Sequence, residues 1–208
     1  MTAQDLKNTI LQLAMRGKLV PQDPADEPAS ELLKRICVKK KPRLIDKGTM
    51  PIDIPDSWQW SYISDVGELI RSNGIKRNET VDKGFPCVRY GELYTTYETA
   101  FTETVSFIPD TVFQLCKQIN HGDLLMTLTG ENKPDIAKTI AYIGTTPIAV
   151  GGDLAYWTKH GMNPLYLSYL MASPYAIEKK VELATGDRIV HISGAKLGTI
   201  PIPIPPPR

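Results

Sequence analysis

The sequence predicts an α+β fold, in which a helical segment at residues 1–50 precedes one irregular, loop-rich, β-containing domain at residues 51–208. Apolar residues recur at helical spacing near the start of the chain, whereas after residue 57 short β-type runs are separated by Gly, Asn, Asp and Pro. The 208 residues, of which 42% are hydrophobic, suit one folded domain with a helical extension.

Charge and cysteine content exclude several classes of protein. The 24 Lys and Arg residues nearly balance 23 Asp and Glu, and the net charge of +1 argues against a polycationic nucleic-acid coat while permitting a local basic surface. Three widely spaced cysteines indicate neither a disulfide scaffold nor a zinc site. No apolar run approaches the roughly 20 residues that a membrane-spanning helix needs, and the first residues lack a secretory signal. We therefore expect a reduced, cytoplasmic protein that does not enter a membrane.

The first element is predicted as a helix over residues 5–17, with Gly17 as its C-terminal stop. One face carries apolar residues at helical spacing, and we expect these to pack against a partner: Leu6, Ile10, Leu13 and Ala14. A stripe this wide does not suit a lone exposed helix. It packs either on the chain's own core or on a second long helix or another chain, and the sequence leaves both open.

A second helix is predicted to begin near Asp26, a candidate N-cap, with Pro28 in its first turn. It leads into a basic cluster at residues 39–43. Such a cluster is typical of a solvated helix end that is favoured by the helix dipole, and phosphate contact is the alternative.

The following domain is predicted to combine short strands with two helices. Strands are expected at residues 60–63, 86–89, 124–129, 139–143, 149–150 and 154–158. Helices are expected at 164–173 and 174–183, and the second should face inward through Ala176, Ile177 and Val181. A last ordered run at 196–204 enters a proline-rich linker.

One catalytic pattern matches by spacing alone. Asp110 and the later Glu131 and Lys133 resemble the signature of metal-dependent nucleases, in which two carboxylates hold magnesium and the lysine steadies the attacking water or the phosphate. That chemistry needs the Glu and Lys on a rigid strand, whereas here a loop composition and Pro134 surround them. No other catalytic, cofactor or metal motif is present, so we predict no catalytic or metal-binding residues and no cofactor, and keep the nuclease as an alternative.

Several predicted loops combine cations, amides and aromatic groups. Arg, Lys and Asn can read base edges, while Lys, Ser, Thr and Tyr contact phosphates. Each loop alone could be an ordinary solvated loop, and a non-reading interaction module is a further alternative. Taken together the loops favour a DNA-contacting surface formed by Lys76, Arg77, Arg89, Tyr90, Asn132, Lys133, Lys138, Arg188 and Lys196.

Blocks along most of the chain closely resemble the specificity (S) subunit of type I restriction–modification enzymes. The longest block is residues 6–24, and Ile54-Pro55-Asp56-Ser57-Trp58 resembles the family's entry into a target recognition domain. The remaining blocks are residues 26–30, 32–33, 89–94, 122–125, 151–153, 191–197 and 200–206.

This resemblance implies that the chain recognises one half of a bipartite double-stranded DNA site and is not itself an enzyme. Family members dock methylation subunits, which use S-adenosylmethionine to methylate adenine, and restriction subunits, which use ATP to translocate and cut. Residues 1–50 would be the docking and spacer segment, and residues 51–208 the target recognition domain. Because there is room for only one recognition domain, we expect a fragment or a half-length subunit, and a half-length subunit would form a homodimer.

Overall fold

The longer helices lie at the start of the chain and in the second half of residues 51–208, and short helices lie between them. A computed structural model describes residues 1–37, 43 and 45–207. The α-helices of this part are α1 (Ala3–Met15), α2 (Ala29–Ile36), α3 (Tyr90–Thr95), α4 (Asp110–Phe113), α5 (Pro164–Met171), α6 (Pro174–Leu183) and α7 (Gly194–Leu197). Single 3-10 turns lie at Lys47–Thr49, Ile63–Asp65 and Arg77–Glu79.

The strands form two larger sheets and two small ribbons. They are β1 (Gln59–Tyr62), β2 (Glu68–Arg71), β3 (Phe85–Val88), β4 (Ala100–Phe101), β5 (Ser106–Ile108), β6 (Gln118–Ile119), β7 (Leu124–Thr127), β8 (Thr129–Gly130), β9 (Thr139–Tyr142), β10 (Ile148–Val150), β11 (Leu154–Thr158), β12 (Val190–His191) and β13 (Pro201–Ile204). The five-stranded sheet has the order β2-β11-β7-β9-β4 and the four-stranded sheet the order β5-β3-β10-β6. The ribbons are β1-β13 and β8-β12.

This architecture confirms the predicted α+β class. The expected strand at 154–158 and helix at 174–183 have the observed bounds. Strands β2, β4, β5 and β6 were not predicted, since the shortest of them are two residues long and are defined by their partner strands rather than by a local pattern. Residues 90–95 form helix α3 instead of the expected loop.

The central strands β7, β9 and β11 of the five-stranded sheet are buried on both faces, and this explains why they read as nearly continuous apolar runs. Along β7, Leu124 and Met126 belong to the core beneath α5 and α6, while Leu125 belongs to a second core on the opposite face. Successive side chains of a strand point to opposite faces. In β11, Trp157 belongs to the core beneath α5 and α6, and Tyr156 belongs to the second core. The sheet is therefore the partition between two apolar clusters.

Helix α1 divides its apolar residues between the core and the surface. Leu11 and Met15 are buried, and α1 packs on α5 and α6. Three residues of the predicted packing stripe remain exposed, namely Leu6 at 47%, Ile10 at 44% and Leu13 at 37%, while Ala14 is half-buried. Gly17 has φ +63° after the C-cap, as the predicted helix stop requires.

Helix α2 begins later than predicted. Its first residue is Ala29 and Pro28 occupies the cap position, so Asp26 is not the N-cap. A residue that precedes proline is disfavoured in helical conformation, and Glu27 therefore cannot join the helix. Ala29, Leu32 and Leu33 are buried in the same core as α5 and α6. The segment 1–50 thus shares a hydrophobic core with the rest of the chain.

The inward face of α6 also differs from the prediction. Ala176 is buried as expected, but Ile177 and Val181 are only half-buried, and Tyr175 and Lys180 occupy the interior. Helical periodicity of apolar residues could not reveal this, because a lysine is seldom buried unless its ammonium finds partners.

The expected last run of 196–204 is the end of α7 and the strand β13. β13 pairs antiparallel with β1, with Trp60 opposite Pro203. Proline lacks an N–H, and a strand with a single partner tolerates this loss because its other edge needs no donor. None of the described helices is long and apolar enough to cross a membrane.

His160 is a buried histidine behind β11. Its Nε2 lies 2.9 Å from the Gly122 carbonyl oxygen, and its Nδ1 lies 3.2 Å from the Met162 amide nitrogen. These contacts match a neutral ring in which Nε2–H donates and Nδ1 accepts. Burial lowers the pKa of His160 below its ordinary value of 6.5, although the Gly122 contact opposes the shift.

The two faces of α1 give a test of the core. Met15→Ala is expected to lower the free energy of unfolding by about 2–5 kcal/mol, because it leaves a cavity against α5 and α6. Ile10→Ala on the same helix should cost about 0.5 kcal/mol or less, because this side chain is half in solvent. Urea unfolding measures the free energy of unfolding of both variants. Equal losses in the two variants would contradict the assignment of Met15 to the core face of α1 and of Ile10 to the exposed face.

His160 is expected to make the stability depend on pH. Since the pKa of His160 is lower in the folded chain than in the unfolded chain, its stabilising contribution is complete above about pH 6.5 and is lost as the pH falls below that value. The urea midpoint should therefore be lower at pH 5 than at pH 7.5, and the difference should shrink in His160→Gln. The matched variant His121→Gln should retain the full difference in urea midpoint between the two pH values. If His160→Gln retains it as well, another group is responsible for the pH dependence.

Candidate nucleic-acid interface

A groove opens on the described surface beside the five-stranded sheet. Its larger section has a volume of about 930 Å³. Leu69 and Arg71 of β2 line one side, and the β8-β12 ribbon with the start of α7 lines the other. A smaller section of about 430 Å³ is lined by the start of α3 and by Gly152. Asp153 lines both sections, so the two lie side by side.

The β8-β12 ribbon is fixed to the body of the protein by two tyrosines of α3. The hydroxyl groups of Tyr90 and Tyr94 donate to the Thr129 carbonyl oxygen at 3.1 and 2.9 Å. Burial raises the pKa of Tyr94, which keeps its hydroxyl protonated. On the other strand, the Ile192 amide donates to the Leu128 carbonyl at 3.0 Å. These bonds hold the ribbon as one wall of the groove.

The ribbon brings two loops to one end. Val190 pairs with Gly130 in an antiparallel register, so residues 131–138, here called the β8–β9 loop, leave the ribbon beside residues 185–189. Lys133 and Arg188 lie on these loops and are exposed, and neither side chain makes a hydrogen bond or ion pair with any residue that the structure describes. Both cations are available to a ligand.

Several cations of the groove are bonded within the protein. The Arg71 guanidinium lies 3.7 Å from the Asp153 carboxylate, and both groups are exposed. The Nε of Arg89 donates to the buried Glu92 carboxylate at 2.9 Å. The Lys196 ammonium donates to the Leu183 carbonyl, the last of α6, at 2.8 Å. An exposed ion pair contributes little to stability, so Arg71 can exchange Asp153 for another anion at small cost.

The structure places three of the sequence-predicted site residues in the groove, namely Arg89, Tyr90 and Lys196. Lys76 is exposed outside both sections, and its amide donates to Glu79 at 2.6 Å. The side chain of Arg77 lies outside the described residues. The nine residues remain predictions.

The β8–β9 loop is organised by its own polar groups. The side-chain nitrogen of Asn132 donates to the Asp135 carboxylate at 2.8 Å, and the backbone amide of Asp135 donates to the side-chain oxygen of Asn132 at 3.0 Å. The Lys138 ammonium donates to the Tyr97 carbonyl at 2.8 Å, and burial lowers its pKa. Lys138 lines a separate cavity of about 190 Å³ beside α1. Asn132 and Lys138 thus shape the loop, whereas Lys133 projects from it.

The nuclease residues lie on different elements. Asp110 begins α4 beside the four-stranded sheet, while Glu131 and Lys133 belong to the β8–β9 loop. The Asp110 carboxylate accepts from Gln114 at 3.0 Å. Within residues 1–37, 43 and 45–207 there is no group of three His, Cys, Asp or Glu side chains that could hold a metal ion.

Sequence reasoning did not select four polar residues that line the groove: Arg71, Thr129, Asp153 and His191. Arg71 lies on the unpredicted strand β2, whose pairing with β11 carries it opposite Ala155 and next to Asp153. A sequence signal existed for Asp153 and His191, which lie in the resemblance blocks 151–153 and 191–197. The pairing register of β2 with β11, about eighty residues later in the chain, decided that Arg71 lies next to Asp153.

Comparisons with known proteins agree with this fold. No family model matches the chain. The specificity subunit of the Escherichia coli type I restriction enzyme EcoAI is 44% identical over 78 residues, and that of EcoEI is 46% identical over 77 residues. Each alignment covers 31% of this chain and 13% of the relative. The chain therefore matches a small part of these longer relatives.

The likeness in fold covers far more of the chain. A chain from a structure on complex assembly and conformational transition of the type I R-M system superposes on 98% of this chain and 44% of its own length, with a TM-score of 0.53 and 15% identity. The HsdS subunit from Thermoanaerobacter tengcongensis gives the same coverage, with a TM-score of 0.52 and 14% identity. Sequence likeness to specificity subunits of type I restriction enzymes extends over about a third of the chain, and likeness in fold to an HsdS subunit extends over nearly all of it.

Proposed function

We propose that this chain recognises one half of a bipartite double-stranded DNA site as the specificity subunit, or half-subunit, of a type I restriction–modification complex. The observation that carries the proposal is the groove and the ribbon beside it. One wall of the groove holds two loops whose exposed cations, Lys133 and Arg188, are not engaged within the described protein. Cations on loops beside a polar groove suit both phosphate contacts and base-edge contacts.

In this proposal the groove and the loops have different roles. Arg71 and Arg89 would position the DNA through its phosphates, because both guanidinium groups lie beside the groove and Arg71 can exchange its exposed partner Asp153 for a phosphate. The tips of the two loops would reach base edges in the major groove, where Arg and Lys recognise guanine. Binding would weaken as the salt concentration rises, because phosphate contacts release counterions.

Catalysis would belong to partner subunits in the cytoplasm. Methylation subunits would supply S-adenosylmethionine chemistry and restriction subunits would cut, while this chain directs them. Methylation of adenine requires the base to leave the stack, so the chain would hold DNA that its partner distorts. Residues 1–50 would dock the partners and residues 51–208 would read. The exposed face of α1 supports a docking role, since apolar side chains left in water favour a protein partner.

Methylation-site mapping tests the proposal. Methylation subunits assembled with this chain are expected to modify adenine within one defined sequence, and to modify a different sequence when the same subunits carry another specificity subunit. The matched control omits any specificity subunit and should give no site-directed methylation. If the modified sequence does not change with the specificity subunit, the chain does not read DNA.

Loop-tip variants test the surface. In the assembled complex, Lys133→Ala and Arg188→Ala are each expected to weaken binding to the specific site by about 1–3 kcal/mol, which is the contribution of one good side-chain contact to a base. Lys83→Ala, an exposed lysine that lines neither section of the groove, should leave the affinity unchanged. Fluorescence anisotropy at fixed salt measures all three, and wild-type affinity in both loop variants would rule out these loops as the contact surface.

A further inference from the structure

Lys180 is a buried lysine in the middle of α6. Only 3% of its surface is exposed. Its ammonium donates to the Met171 carbonyl at 2.9 Å and to the Ala137 carbonyl at 3.2 Å. Burial lowers its pKa to about 8, while the nearby Asp135 carboxylate opposes this shift. A buried ammonium is costly unless its donors are satisfied, so these two carbonyl contacts are what hold the side chain inside.

The two carbonyls belong to different parts of the fold. Met171 is the last residue of α5, whose terminal carbonyls lack partners within the helix. Ala137 lies at the base of the β8–β9 loop, just before β9. One ammonium therefore connects the loop to α5 and α6, the two helices that cover the five-stranded sheet.

Ala137 has an uncommon backbone conformation. Its φ is +52°, a left-handed value that a residue with a Cβ seldom adopts. Ala137 is fully buried, and its carbonyl also accepts from the Thr139 hydroxyl at 2.9 Å. Such a conformation persists only where the surroundings fix it. The hydrogen bonds from Lys180 and Thr139 fix the direction of this carbonyl.

The opposite side of the loop is fixed as well. The Tyr94 hydroxyl lies 3.4 Å from the Asp135 carbonyl oxygen and 2.8 Å from the Thr127 hydroxyl, and the Ile136 side chain is fully buried. The base of the loop is thus held from both sides, while Lys133 at its tip is exposed. Discrimination between bases depends on placing a side chain to within a fraction of an ångström, and this requires a rigid support.

We propose that Lys180 is a positioning residue for base discrimination, which sets the β8–β9 loop by orienting the Ala137 carbonyl and never touches DNA. This inference rests on the proposed function of the chain. A residue that only stabilises the fold would affect binding to all DNA alike. A residue that positions the loop should change the ratio of specific to non-specific affinity while leaving non-specific binding intact.

The test uses Lys180→Met in the full chain, assembled with its methylation subunits. The ratio of specific to non-specific affinity should fall about tenfold, the size of one lost base contact. Non-specific affinity and its salt dependence should stay at wild-type values, because the phosphate contacts are unchanged. Hydrogen exchange should quicken in residues 131–138. Lys179→Met is the matched control, because this neighbouring lysine pairs with Glu182 at the surface.

Thr139→Val provides a second variant in case Lys180→Met does not fold. This substitution removes the Thr139 hydroxyl, the other donor to the Ala137 carbonyl, and keeps a β-branched residue in β9. It should therefore also lower the ratio of specific to non-specific affinity. Wild-type ratios in the folded variants would overturn the assignment of Lys180, even if the wild-type chain determines which sequence is methylated. If exchanging the specificity subunit leaves the methylated sequence unchanged, the proposed function and this inference both fail.

Discussion

The burial of the central strands of the five-stranded sheet on both faces is the constraint on which the other features of this protein depend. These strands are apolar except for Thr127 and Thr139 at the ends of β7 and β9, because α5 and α6 cover one face and a second apolar cluster covers the other. Polar side chains are therefore confined to the strand ends and to the connections between strands. The groove and the β8–β9 loop lie at such connections, which is why the groups suited to DNA occur there.

Several lysines in the described part of the chain are bonded to the protein itself. Lys138, Lys180 and Lys196 each donate to a main-chain carbonyl. A carbonyl near the interior loses water, and a cationic donor compensates for that loss. These lysines hold loops in place, so in the proposed function the direct reading of bases would fall to exposed tips such as Lys133 and Arg188. A count of all basic residues in the sequence would therefore overestimate the number of cations that are free to contact DNA in the proposed function.

Helix α1, at the start of the chain, packs against the core on one side and is exposed to solvent on the other. Leu11 and Met15 join α1 to the core, whereas Leu6, Ile10 and Leu13 face solvent. The wide apolar stripe is thus divided, since one part of it joins the core and the other part is exposed and available to the proposed partner. It also places the proposed docking surface on a helix packed directly against α5 and α6, so the position of a docked subunit would be defined relative to the reading loops.

The sequence by itself determined the α+β class, helix α1 with its stop at Gly17, the long helices α5 and α6, and the central strands. These features depend on local periodicity and on glycine and proline. It also indicated the β8–β9 loop and the cations Lys133 and Arg188, through composition. Only the tertiary structure decided that Arg71 and Asp153 share a groove, that Tyr90 holds the ribbon, and that Lys180 is interior. These facts depend on strand register and on hydrogen bonds between residues that are distant in the chain, and no local pattern encodes them.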